Sequence, residues 1–122
     1  MATVLVIEDE GPIRANLARL LKAEGYTVIA AVDGARGIAA AREQRPDLII
    51  CDILMPQMDG YGVLAALQAD AGTAGIPLVF LTASADKEDR SRGLASGARD
   101  YVTKPFKLNE LLAVVRKHLP AG

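Results

Sequence analysis

The sequence predicts an α/β fold, a three-layer sandwich with a five-stranded parallel sheet between helices. Two observations predict it. Short apolar runs alternate five times with longer amphipathic segments, and the runs VLVI, LIIC and LVFL are apolar at nearly every position. Continuous apolar runs of this length suit strands covered on both faces, which occur in parallel sheets flanked by helices.

The first strand is expected over Thr3–Ile7. A helix over Pro12–Glu24 follows, with Ile13, Leu17, Leu20 and Leu21 on one stripe at offsets 0, 4, 7 and 8. Gly11-Pro12 opens that helix and Gly25 closes it as a left-handed cap. The second strand, Thr27–Ala31, leads to a helix over Gly34–Arg45 capped by Asp33, and the third, Leu48–Asp52, to a helix over Gly60–Asp70 capped by Asp59. The fourth strand is Leu78–Thr82. The helix after it, Lys87–Ser96, is weakly amphipathic and stops at Gly97. The fifth strand is Tyr101–Thr103. The last helix, Leu108–Leu119, carries Leu108, Leu111, Leu112, Val115 and Leu119 on one stripe. Its final turn holds Arg116, Lys117 and His118, where cations suit the helix dipole. Short connections throughout favour one open, doubly covered sheet.

The 122 residues are expected to form a single domain, with no repeat and no linker inside it. An apolar share of 51% is too high for disorder. The single cysteine, Cys51, leaves no internal disulfide and no multi-cysteine metal site, which suits a reducing compartment. No uncharged apolar stretch approaches the ~18 residues of a membrane span. Charges in VLVIEDE interrupt the first run too early for a signal peptide. A cytoplasmic protein is therefore expected. With 14 basic and 15 acidic side chains the formal net charge is −1, which speaks against direct nucleic-acid binding. Pro120-Ala121-Gly122 suits either a natural end or the start of a linker, so the domain either stands alone or belongs to a longer regulator.

In open α/β sheets, ligands bind beyond the carboxyl ends of the strands. Glu8 and Asp9 follow the first strand, Asp52 ends the third, Thr82 ends the fourth, and Lys104-Pro105 follows the fifth. Three carboxylates, a hydroxyl and an ammonium thus converge on one edge. A pair of carboxylates ~4 Å apart repels by about 4 kcal/mol at an effective dielectric of 20. A hard divalent cation offsets that best, and Mg²⁺ prefers one or two carboxylates, water and a phosphate oxygen. Lys104 adds positive charge. Such a site suits phosphoryl transfer, which needs positioning and charge neutralisation, with a carboxylate as the acceptor.

These residues resemble the receiver domain of two-component response regulators, a flavodoxin-like (βα)5 fold typified by the chemotaxis protein CheY. The likeness covers essentially the whole chain: Glu8-Asp9, Asp52 in CDILMPQMDG, Thr82-Ala83 in FLTA, and Tyr101 with Lys104-Pro105-Phe106 in DYVTKPF. It implies that Asp52 is the phosphoacceptor. It implies Mg²⁺, with Mn²⁺ as a substitute, held by the side chains of Asp9 and Asp52, by the Leu54 backbone carbonyl, and by Glu8 mainly through water. Thr82 is then expected to hydrogen-bond a phosphoryl oxygen and Lys104 to pair with the phosphoryl group. A cis Lys104–Pro105 peptide would aim that lysine at the site. Tyr101 becomes a rotamer switch that swings inward as Thr82 moves. Leu54 and Ser84 become tuners of acyl-phosphate lifetime. The implied donor is a sensor histidine kinase or phosphotransfer protein. The implied output surface is the fourth helix, fifth strand and fifth helix, which would bind an output partner or a second copy. Such a chain is not an enzyme beyond its own aspartyl phosphorylation and dephosphorylation.

Blander readings stand beside these. Glu8-Asp9 alone is a solvated strand-end turn, Thr82 alone a β-favouring residue, and Tyr101 packing on an edge strand. Met55-Pro56 and Met58 read as loop packing, Cys51 as a small buried hydrophobe, and His118 as a surface dipole partner rather than a phosphodonor. The main rival is a phosphatase of the haloacid dehalogenase type, which needs a second acid two positions after its nucleophile. Leu54 occupies that position. A flavodoxin-like cofactor binder would want a phosphate-cradling loop after the first strand, where VLVIEDEGP offers anions. A pseudo-receiver that serves only for docking would have lost site residues.

Overall fold

The computed structural model describes residues 2–83 and 87–119, with the backbone alone over 87–90. Ser84 and Pro120–Gly122, for which roles were raised above, lie outside the described residues. The elements are β1 (Thr3–Ile7), α1 (Gly11–Ala23), β2 (Thr27–Ala31), α2 (Gly34–Gln44), β3 (Leu48–Asp52), α3 (Gly60–Gln68), β4 (Leu78–Thr82), α4 (Lys87–Ala95), β5 (Asp100–Thr103) and α5 (Leu108–His118). Among the described residues, five parallel strands form one sheet in the order β2-β1-β3-β4-β5.

Strand alternation sends successive side chains to opposite faces, and each face has its own core. Val4, Val6, Leu48, Ile50, Val79, Leu81 and Val102 pack with Leu17 and Leu21 of α1 and with Leu111, Leu112 and Val115 of α5. Leu5, Ile7, Ile49, Cys51, Leu78, Phe80 and Tyr101 pack with Ile38 and Ala41 of α2 and with Val63, Leu64 and Leu67 of α3. This double burial is why β3 and β4 are apolar at every position before their terminal Asp52 and Thr82. Sheet-edge β2 is only partly buried.

The helix signals act as expected. Asp33 accepts from the Arg36 backbone N–H at 2.8 Å, and Asp59 from that of Gly62 at 2.9 Å. Gly25 has φ 94°, the left-handed conformation that a Cβ disfavours. Helix ends differ from expectation by one or two residues, where caps replace the last helical turns. Arg45, for instance, is a left-handed cap after α2 rather than its final residue. Four stripe residues, Ile13, Leu20, Leu108 and Leu119, are less than fully buried. Leu20 is half-buried, and Leu108 is 40% exposed because it opens α5 one turn before the buried stripe begins at Leu111.

Pairing register positions the functional edge. Ile7 lies opposite Cys51, so Glu8 and Asp52 emerge side by side, one step further on. Asp52 lies opposite Leu81, and Thr82 opposite Thr103, which brings the ends of β4 and β5 to the same edge. The N-terminus of α3 closes tightly on this edge. A Cβ on Gly60 would lie 2.6 Å from the Asp52 carbonyl oxygen and 2.9 Å from Ile53 Cα.

Candidate functional site

The chain leaves β1 in one direction to reach β2, and β3 pairs with the other side of β1, so the strand order reverses between β1 and β3. That crevice holds Glu8, Asp9 and Asp52. One carboxylate oxygen from each lies within 4.8 Å of the others. Glu8 is fully buried and Asp52 is 4% exposed. Burying like charges this closely needs a counter-charge, and Lys104 provides one. Its Nζ donates to Glu8 Oε1 at 2.7 Å and to Asp52 Oδ2 at 3.0 Å. The Lys104–Pro105 peptide is cis, as expected.

One ammonium does not neutralise three carboxylates. Burial pushes the Glu8 carboxyl up; the Lys104 hydrogen bond pulls it back, the Asp52 charge raises it further, and it settles at about 7. Burial disfavours the Lys104 charge, but its bonds to Glu8 and Asp52 outweigh burial and hold its pKa above the ordinary value. Asp9 Oδ1 is buried without a hydrogen-bond partner among the described residues. An orphaned carboxylate oxygen beside two further carboxylates is a hard-oxygen donor set, and the residues fit a divalent cation of the Mg²⁺ class.

By alternation, Glu8, Asp52 and Lys104 continue the α1/α5 face of the sheet. Thr82 follows Phe80 on the opposite face, together with Tyr101. There Thr82, Tyr101, Ile53, Leu54, Asp59, Tyr61 and Arg92 line a cavity of about 160 Å³. Tyr101 is buried and turned inward, edge-on to Phe80 at 6.4 Å between ring centroids. Phe80 in turn meets Tyr61 edge-on at 5.1 Å, and the Arg92 guanidinium lies 4.1 Å over the Tyr61 ring. An aromatic chain thus runs from Tyr61 of α3 through Phe80 of β4 to Tyr101 of β5, with Arg92 of α4 stacked on its outer end.

The loop after β3 behaves as read from sequence in most respects. Met55 is buried and Met58 half-buried, while the Leu54 side chain is 75% exposed. Cys51 is wholly buried, and burial and the nearby carboxylates push its thiol pKa far up, so it is inert. One Glu8 oxygen is committed to Lys104, which is compatible with the expectation that Glu8 meets a metal mainly through water.

His118 is a correction. It is expected as a surface dipole partner, but its side chain is mostly buried, and Nε2 lies 2.9 Å from Asp100 Oδ2. Lys117 approaches the same oxygen at 3.8 Å. Burial alone would raise the Asp100 carboxyl, but the His118 hydrogen bond, the Tyr101 N–H and the nearby Lys117 hold it below the ordinary range. Asp100 opens β5, one residue earlier than expected, and its carboxylate meets the last turn of α5 through these contacts. Arg14 was not singled out from sequence, yet its Nη1 donates to the carbonyls of Glu8 at 2.8 Å and Asp9 at 3.3 Å.

Residues 4–116 match the response regulator receiver domain family. The chain is 42% identical over 93% of its length to the probable transcriptional regulatory protein TcrX of Mycobacterium tuberculosis. It is 43% identical over 95% of its length to the DNA-binding dual master transcriptional regulator RpaA of a Synechocystis species. In each case it covers 48% of the relative, so the chain spans about half the length of the curated relatives it matches. Among solved structures it resembles Vibrio cholerae chemotaxis protein CheY4, with TM-score 0.92 and 34% identity, covering 98% of this chain and 99% of that one. It also resembles the receiver domain of Pseudomonas aeruginosa sensor histidine kinase PA1611, a structure with a magnesium ion coordinated in its active-site cleft. The TM-score there is 0.88 and the identity 32%, over 96% of each chain. Among the described residues, no helix is long and apolar enough to cross a membrane.

Proposed function

The chain belongs to the response regulator receiver domain family, and on that premise we propose that it is a Mg²⁺-dependent phosphoryl switch with Asp52 as its acceptor. The observation that carries this is Lys104 Nζ bonded at once to Asp52 and Glu8, beside an Asp9 oxygen without a partner among the described residues.

An Asp52 carboxylate oxygen attacks the phosphorus of a phosphohistidine or a small acyl phosphate. An O–P bond forms, and the bond from phosphorus to the donor breaks, its electron pair leaving with the donor. Asp9 and Asp52, the Leu54 carbonyl, and Glu8 through water would hold Mg²⁺ or Mn²⁺, whose charge neutralises the phosphoryl oxygens. Lys104 turns from the carboxylates toward the incoming phosphoryl group. Thr82 reaches it from the other face of the sheet.

Phosphorylation adds roughly two negative charges that Thr82 and Lys104 contact only in the modified state. Such differential contacts are what shift a two-state equilibrium. Moving it from 1:99 to 99:1 takes about 5.5 kcal/mol, more than one hydrogen bond supplies, so both residues must act together. Thr82 and Tyr101 line one cavity with Arg92 of α4, which offers a route to the α4-β5-α5 face. That face is proposed to engage an output partner or a second copy of the chain, and a histidine kinase or phosphotransfer protein to donate the phosphoryl group. The phosphatase reading finds no support, because the Leu54 side chain supplies no acid.

The test is intact mass after incubation with acetyl phosphate. Wild type with Mg²⁺ is expected to gain one phosphoryl group, and wild type with chelator or Asp52→Asn none. Equal labelling of Asp52→Asn overturns the proposal.

A further inference from the structure

Asp9 carries a buried oxygen without a hydrogen-bond partner among the described residues, so no such bond to that oxygen fixes where the carboxylate points. Its direction is inherited from the backbone of the turn that leaves β1. The Glu8 N–H donates to the Ala31 carbonyl at 3.1 Å and closes the strand's pairing there. Beyond it, the carbonyls of Glu8 and Asp9 both accept from Arg14 Nη1. Arg14 is half-buried in the first turns of α1, and its own N–H is fixed to the Glu10 carbonyl at 2.9 Å. One guanidinium thus clasps the two peptide units that carry the acidic side chains.

The two cations beside the site act differently. Lys104 bonds carboxylate oxygens and so occupies lone pairs that a metal would use. The hydrogen bonds of Arg14 to this turn go to carbonyl oxygens, which leaves the carboxylates available while their backbone is held. Both bonds leave one nitrogen, Nη1, of a planar guanidinium; a lysine brings a flexible point charge in its place and would grip less well.

We propose that Arg14 is a positioning residue for the metal site, holding the β1–α1 turn so that Asp9 is presented to the cation. The inference rests on the reading of Glu8, Asp9 and Asp52 as a Mg²⁺ site. Removing a group that orients a ligand typically weakens metal affinity by about 10–100-fold. The opposing effect, loss of a nearby positive charge that competes with the cation, would tighten binding.

Calorimetric Mg²⁺ titration of wild type, Arg14→Gln, Arg14→Lys and Asp9→Asn distinguishes these, alongside acetyl-phosphate labelling rates across Mg²⁺ concentrations. Arg14→Gln is expected to weaken affinity roughly tenfold, with Arg14→Lys between it and wild type. The Arg14→Gln labelling rate at saturating Mg²⁺ is expected to return to the wild-type value, which a general structural defect would not allow. Unchanged or tighter Mg²⁺ binding by Arg14→Gln overturns the inference, as does a saturating rate that stays low. If Arg14→Gln does not fold, Arg14→Lys carries the same test. Wild type and Asp9→Asn binding Mg²⁺ equally would instead remove the metal-site reading, and the inference with it.

Discussion

Lys104 Nζ and Glu8 Oε1 lie 2.7 Å apart although 96 positions separate them in the chain. That single contact ties the end of β5 to the end of β1 across β3 and β4, and it makes the site an electrostatic balance rather than a set of independent groups. Removing Lys104 leaves two buried carboxylates without their ammonium. Lys104→Met is expected to lose about 1–3 kcal/mol in metal-free urea unfolding, and to recover part of that on Mg²⁺ addition. The converse change, Asp9→Asn, removes one of three clustered anions. It is expected to raise metal-free stability by about 1 kcal/mol, the Coulomb repulsion after discounting for its partial exposure.

The pH dependence has a defined sign. Glu8 has its carboxyl raised from 4.5 to about 7 in the folded state, so the folded protein holds a proton that the unfolded chain releases. Its contribution is present below pH 4.5 and is lost as pH rises toward 7, an effect of up to about 3 kcal/mol. Asp100 runs the other way. Its lowered carboxyl contributes above 3.8, and that contribution is lost only as pH falls below it. Metal-free urea midpoints between pH 5 and 7.5 should therefore fall with rising pH, and Glu8→Gln should flatten that slope. Mg²⁺ affinity should weaken on acidification below about 7, as Glu8 takes up a proton and the site loses a negative charge.

The Asp52 end of β3 has no spare volume on its α3 side. Gly60→Ala would push a methyl against the Asp52 carbonyl and Ile53 Cα. A cost of about 1–3 kcal/mol is expected in denaturant unfolding. A neutral result would mean that the N-terminus of α3 moves away freely.

Thr82 is expected to separate chemistry from output. Thr82→Ala should still accept a phosphoryl group on Asp52, because Lys104 and the carboxylate cluster remain. It should lose the phosphorylation-dependent change in amide exchange over β5 and α5. Retention of that change would show that Thr82 does not carry the signal.

The central strands β3 and β4 were legible because burial on both faces makes each an unbroken apolar run, ended abruptly by a polar residue. Asp52 and Thr82 stand out for that reason, and the cap residues Asp33 and Asp59 for theirs. What could not be read were contacts set by side-chain direction. Arg14 sits five positions after Asp9, and nothing in a helical pattern says that its guanidinium turns back to the preceding turn. His118 reads as a dipole partner because its neighbour Asp100 lies 18 positions away in sequence, at the start of a different element. Leu108 shows the limit of periodicity, which marks a stripe but not where along the helix the covering sheet ends.

The central claim is that Asp52 itself takes the phosphoryl group. Borohydride reduces an aspartyl phosphate to homoserine, so peptide mapping after acetyl phosphate and borohydride treatment reads the acceptor directly. Mg²⁺-dependent conversion at position 52 alone is the expected result. An unmodified Asp52 with conversion at Asp9, or phosphate retained on His118, would contradict it.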